Sequence, residues 1–302
     1  ELYETILIWT LSSTNKVIRD SSTKSLVCLF KEFPETMGNM LDRFKNVDDP
    51  YILERLYAAV FGGVVRGNKH ESHPKIATQI YNEIFCKSEV YPHVLLRDYA
   101  RQTIEFILTT HDILEIDKSK IKPPYKSEWY KYIPTNDEID QLEQEYIKDE
   151  NERLAFSVKR IISSMTTEYG RGIGGYGDFG RYVFGAKVRE WENQFDSDQE
   201  LSNIAIKRVF EMGYDIKLHG EFDINISHHD RHNDVIERIG KKYQWIAFHE
   251  LMAKLTDNIP PYKEEKIYTI EYQEYMDKKR KNLWGLIEGK EEIEEIRKKM
   301  LS

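Results

Sequence analysis

The stretch VIRDSSTKSLVCLF, residues 17–30, decides how the chain is read, because its pattern comes back. At 95–108 the sequence runs LLRDYARQTIEFIL: two apolar residues, Arg-Asp, a small or aromatic residue, then apolar residues at helical spacing. Arg97-Asp98 stand 78 positions after Arg19-Asp20. Between them lies YILERLYAAVFGGVV, residues 51–65, where Glu54-Arg55 precede a third run of the same kind. Apolar positions recurring every three to four residues mark helices. Similar helices at intervals of 35 and 43 residues approach the ~40–47-residue period of stacked helix-pair arrays.

Working outward, SSTN at 12–15 offers Thr14 or Asn15 as the cap of the second helix, in which Ile18, Leu26, Leu29, Phe30 and Phe33 form the expected inward stripe. Arg19, Asp20, Arg97 and Asp98 are read as structural residues that bond neighbouring turns of the array, not as catalytic groups. DDP at 48–50 is a cap followed by Pro at the first helical position. The 51–65 helix is apolar nearly all round, which predicts burial on all sides, and Gly62-Gly63 within it predict a close helix contact. RGNKHESHP is a polar loop, and a further helix follows from Pro74. Paired helices that cannot bury their stripes alone build a solenoid.

The character changes after residue 109. IKPPYKSEWYKYIP cannot continue a helix and is expected to cross over the array, anchored by Trp129, Tyr130 and Tyr132. Thr135 with Glu138 three residues on is a capping box. LAFSVKRIISSMTTEY fits a helix or a short strand, and 198–215 fits an amphipathic helix ended by Gly213. Residues 217–234 read as a hairpin or irregular loop, 235–258 as a helix, IYTIEYQEY as strand-like and GKEEIEEIRKKM as a charged helix. The predicted fold is mainly α, with a HEAT-like helical-repeat array over 1–110. A crossover linker and helix cover 111–150, and an irregular, mostly helical region with minor β covers 151–302.

Composition narrows the function classes. The 302 residues carry a formal charge of −8, against a non-specific duplex binder. No window approaches the ~18–20 apolar residues of a membrane span. ELYETILIWT lacks a basic n-region and cleavage site and reads as a helix already under way, so the chain is expected to be part of a longer cytoplasmic polypeptide. Cys28 and Cys86 are expected as buried thiols on apolar helix faces.

Candidate chemistry is sparse. Gly170, Gly172 and Gly175 match G-x-G-x-x-G, but Gly177 and Gly180 prolong the loop and Glu190 and Glu192 sit in a helical pattern, so a dinucleotide fingerprint is not completed. The glycines of the 170–180 loop are expected instead to let Tyr169, Tyr176, Phe179 and Tyr182 pack close to backbone. Asp178-Phe179-Gly180 lacks a preceding HRD stretch. His228, His229, Asp230, His232 and Asp234 are the densest set of potential metal ligands, with His228, Asp230 and His232 the residues that could converge; the alternative is a polar loop in which Asp234 caps the next helix. His249-Glu250 is half of H-E-x-x-H, but Ala253 stands where the second His belongs. No catalytic residue and no cofactor are therefore assigned.

Taken together, WTLSSTNKVIRDSSTKSLVCLF and DDPYILERLYAAVFGGVVR resemble the helical-repeat segment that follows the ATPase module in bacterial STAND-type (NACHT-like) NTPases, AVAST-type antiviral ATPases in particular. YGDFGRYVFGAKVREW, AIKRVFEMGYD and ERIGKKYQWIAFHELMAKLTDN are similar to stretches that recur downstream in such proteins. The resemblance implies a non-catalytic sensor region that binds a foreign, for instance viral, protein. It also implies an upstream NTPase module in the same polypeptide and homo-oligomers formed through that parent protein. Neither Walker motif occurs here, so ATP hydrolysis is carried over to no residue. Two other readings stand beside it. One is a metal-dependent nuclease or hydrolase using the His228–Asp234 loop. The other is a nucleic-acid-binding helical scaffold whose contacts include Lys241 and Lys242.

Overall fold

The computed structural model describes residues 1–261 apart from 112, 114, 173, 174, 189, 190, 192, 193, 196 and 228–234. Within it the helices begin where the chain offers caps. After α1 (Leu2–Trp9), the Asn15 side chain accepts from the main-chain N–H of Val17 and Ile18 and opens α2 (Lys16–Glu32). Following α3 (Thr36–Phe44), Asp49 does the same for Tyr51 and Ile52 at the head of α4 (Pro50–Arg66). α5 (His73–Ile80) runs into a π-turn over Tyr81–Phe85, and His93 caps α6 (Val94–Leu108) by accepting from Leu96 N–H at 3.3 Å. In the second half, Thr135 and Glu138 close the expected capping box on α7 (Asn136–Ile147). Next come α8 (Glu152–Met165), a short α9 (Ala186–Val188), α10 (Asp198–Glu211), α11 (Ile216–Ser227) and α12 (Ile239–Asn258).

α2 packs on α4 and α4 on α6, so the three stretches singled out by their sequence lie side by side, while α1, α3 and α5 pack against α2, α4 and α6. The glycine pair sets the α2–α4 spacing. A Cβ on Gly62 would lie 2.7 Å from Val27 Cγ2, and one on Gly63 2.6 Å from Phe30 Cβ. This first core runs from Ile8 to Ile121. A second core runs from Ile139 to Leu255, built by α8 against α7 and α11 and by α10 against α12. Helix α12 gives buried apolar residues to the second core. It packs on α8, α10 and α11 and also reaches α4 and α6.

Several expectations need correcting. Residues 216–227 are helix, not hairpin: Asp215 accepts from Lys217 and Leu218 N–H, and Ile216, Gly220 and Ile224 recur at four-residue spacing along one side. Helix α12 buries polar Gln244 and Glu250 besides the apolar Ile246, Ala247, Phe248, Leu251 and Leu255, because it has neighbours on two sides. The minor β content reduces, among the described residues, to isolated bridges at Asn15–Ile236 and Gly170–Gly172. Cys28 and Cys86 are exposed thiols, since Val27 and Phe30 take the inward positions of α2. Ile18 and Phe33 are likewise exposed, and so is Tyr132 of the crossover, while Trp129 and Tyr130 pack on the second core.

In the Gly-rich loop only Phe179 of the four aromatics is buried. Gly177 and Gly180 instead let the loop backbone run against Ser163–Thr166 at the end of α8, where a Cβ would fall within 2.3 and 2.1 Å of main-chain atoms. The strand-like and charged segments after residue 262 lie outside the described residues.

Candidate functional site

Two buried arginines fix where α12 lies. Arg19, in the first turn of α2, places Nη2 2.8 Å from Glu237 Oε2 and Nη1 3.3 Å from the Ser13 carbonyl. Lys16 and Lys241 add their charges to the same carboxylate at 3.7 and 3.4 Å. Burial works against ionisation of Glu237, but the Arg19 hydrogen bond and charge, with Lys241 and Lys16, outweigh it and hold the carboxyl below its ordinary range. Main-chain bonds from Lys16 N to Val235 O and from Glu237 N to Thr14 O complete this contact just ahead of α12. At the other end, Arg97 Nη1 lies 2.7 Å from Asp257 Oδ2, and its remaining donors bond the carbonyls of Tyr91 and Val90. Asp20 and Asp98 stay nearer the surface, paired with Arg55 at 3.0 Å and with Arg101 at 2.5 Å.

Between those two fastenings three ionisable side chains meet. Glu54 comes from the second turn of α4, His93 from the cap of α6 and His249 from the middle of α12. Glu54 Oε2 is 3.7 Å from His93 Nε2 and 3.8 Å from His249 Nδ1, and the three atoms lie within 4.8 Å of one another. These separations exceed hydrogen-bonding distance. All three atoms are buried and lack a hydrogen-bond partner among the described residues. Leaving a buried polar atom unsatisfied costs about 1–3 kcal/mol, so three such atoms facing one another call for a shared partner.

Aromatic rings wall it in. Tyr91 stacks on His93 at 6.4 Å, and Trp245 and Phe248 lie 5.6 Å from the His249 ring. Burial accordingly pushes the Glu54 carboxyl up to about 7, against the pull of Arg55 and Arg19. It pushes His249 down to about 4. His93 falls well below its usual value through burial first, then the neighbouring His249 and Arg97. Two neutral imidazoles and one reluctant carboxylate are a donor set that suits a borderline transition metal. His93 Nε2 can ligate if its proton sits on Nδ1. That trades away a cap bond already long at 3.3 Å, a loss of about 1 kcal/mol.

Elsewhere, a cleft of about 720 Å³ opens between the first helices and α10, lined by Lys45, Asp49, Tyr91, Arg208, Glu211 and Lys242 among others. Its charges are of both signs, and Lys242 is paired with Asp49 across it, so no single charge selects a ligand there. Lys241 and Lys242, the proposed nucleic-acid contacts, are thus both engaged with carboxylates. The predicted metal ligands His228, Asp230 and His232 lie outside the described residues. Sequence reading singled out His249 only as half a motif and Glu54 only as a repeat position, and passed over His93. The repeat spacing marks α4 and α6 as neighbours, but nothing in the sequence brings α12 to them; the one hint of a site residue was His93 directly ahead of an apolar helical run, a capping position.

No family model matches the chain, and no curated protein or solved structure shows significant similarity to it.

Proposed function

We propose that this chain is a non-catalytic recognition and scaffolding region of a larger cytoplasmic STAND-type NTPase in antiviral defence, its first helices a HEAT-like array that binds protein. The observation that carries the reading is an exposed apolar row at the outer edge of that array. Leu2, Ile6 and Trp9 are more than half exposed and follow one another at i, i+4 and i+7, the spacing of one helix side. Val17 and Ile18 of α2 are exposed as well. A terminal helix pair that ends a solenoid in water presents a polar outer face; this one presents the surface a further helix packs on. The occupant we assign is an apolar helix of the NTPase module, which would couple a nucleotide switch to the array.

The supporting observations are the side-by-side packing of α2, α4 and α6 and the net negative charge. The glycines of the 170–180 loop also find a packing role along α8. The proposal requires an NTPase module in the same coding sequence, and the test is co-expression with that module. The wild-type chain is expected to co-elute with it, and Leu2→Asp combined with Ile6→Asp to abolish that association while thermal stability changes little, since Trp9 also packs on the buried Phe44 ring at 5.2 Å and is left in place. Association surviving the double substitution, or ATP turnover by this chain alone, would contradict the proposal.

A further inference from the structure

We propose that Glu54, His93 and His249 form a structural transition-metal site, suited first to zinc, that fastens α12 onto α4 and α6. The ligand atoms would be Glu54 Oε2, His93 Nε2 and His249 Nδ1. Zinc bonds of about 2.0–2.2 Å in a tetrahedron place ligand atoms roughly 3.3–3.6 Å apart. Two of the three separations here are 3.7 and 3.8 Å, so closure by a few tenths of an ångström brings those pairs to bonding geometry. The remaining pair, within 4.8 Å, has to approach by up to about 1.2 Å to reach the same geometry, which requires rotation of the imidazole rings about their side-chain bonds. A single ion satisfies at once the three buried atoms that have no partner among the described residues. Calcium and magnesium fit poorly, because they require mostly oxygen ligands, whereas two imidazoles favour zinc and its neighbours in the first row.

The setting argues for a structural role. His93 is fully buried, and the side chains of Glu54 and His249 are only 11% and 13% exposed, so a substrate has no approach to the fourth position, which a water completes. The three ligands come from three helices far apart in the chain, and two of those helices belong to the array while α12 also builds the second core. Binding free energy at such a site is folding free energy. It would act midway between the Arg19–Glu237 and Arg97–Asp257 contacts.

The test uses the full chain, free of any affinity tag, exchanged into metal-free buffer after incubation with zinc sulfate. Elemental analysis is expected to find about one zinc per chain, and cobalt(II) in its place to give a visible d–d band. Glu54→Gln, His93→Ala and His249→Ala are each expected to lose both. Glu54→Gln is isosteric and removes a buried charge, so it is expected to fold with or without metal even if the histidine variants do not. For the wild-type chain, free zinc at about 100-fold above its dissociation constant should shift the unfolding equilibrium about 100-fold toward the folded state, and a chelator should reverse this. Neither should move Glu54→Gln. His73→Ala, in the separate His70–His73–His111 ring cluster, should bind as the wild type does. Absence of stoichiometric metal, or zinc that survives Glu54→Gln and is lost on His229→Ala with His232→Ala, would overturn the assignment.

Discussion

The Asp257 carboxylate accepts hydrogen bonds from the Arg97 guanidinium, the Ser127 hydroxyl at 2.6 Å and the Tyr125 main-chain N–H at 2.8 Å. Arg97 in turn lies over the Tyr125 ring at 5.0 Å. Both charged side chains are almost wholly buried, so the pair is held by completeness more than by attraction. Removing one partner leaves a buried charge without its counter-charge. Asp257→Ala is therefore expected to lower stability by about 3–5 kcal/mol in equilibrium urea unfolding. Arg153→Ala breaks a pair with Glu221 whose members are both more than half exposed, and the same measurement should register less than about 1 kcal/mol. Equal losses at the two positions would refute the distinction. Arg97 was legible as a repeat position with a structural role, but its partner was not: Asp257 stands at the far end of a different helix, and no local pattern connects them.

At the level of elements, α12 is gripped ahead of its first turn by Glu237 and in its last turn by Asp257. The Glu237 contact has a predictable acid limb. Its carboxyl is held below its ordinary value of 4.5 in the folded chain, so the stability it contributes is present above about that pH and is lost as pH falls through the lower, folded value. Glu237→Gln is expected to flatten the loss of thermal stability below pH 4.5 while costing stability at pH 7. A variant with the wild-type acid limb would show that the contact does not titrate as described.

Helices with caps and strong stripes, α2, α4, α6, α7 and α10, could be read from the chain alone, and Gly62-Gly63 announced a close packing that Val27 and Phe30 make visible. Helix α11 could not, because its apolar residues are few and its polar ones suggested a loop. Asp215 starts it and α8 covers it, and both effects become apparent only with the tertiary neighbours in place. The outward turn of Cys28 and Ile18 has the same origin: a stripe broad enough to face either way is oriented by what packs on it.

For the molecule as a whole, a helix of the second apolar core also reaches the helices of the first. The first is made by α1–α6 and the crossover, the second by α7–α12, and α12 also packs on α4 and α6. The proposed recognition role would depend on this arrangement, since a partner bound along α2, α4 and α6 can be felt elsewhere only if the two sets of helices move as one body. None of it follows from periodicity. The stripe of α12 looks one-sided in sequence, and its second set of contacts involves polar residues, Glu250 with Arg208 at 2.6 Å and with the Tyr91 hydroxyl at 2.6 Å, which a reading based on apolar faces passes over. The most direct check is native-state hydrogen exchange on the full chain. Slowly exchanging amides in the middle of α4, α6 and α12 are expected to open with one common free energy, equal to that of global unfolding. Amides of α12 that exchange orders of magnitude faster than those of α4 and α6 would contradict the account, because α12 would then be docked loosely on a separately folded array.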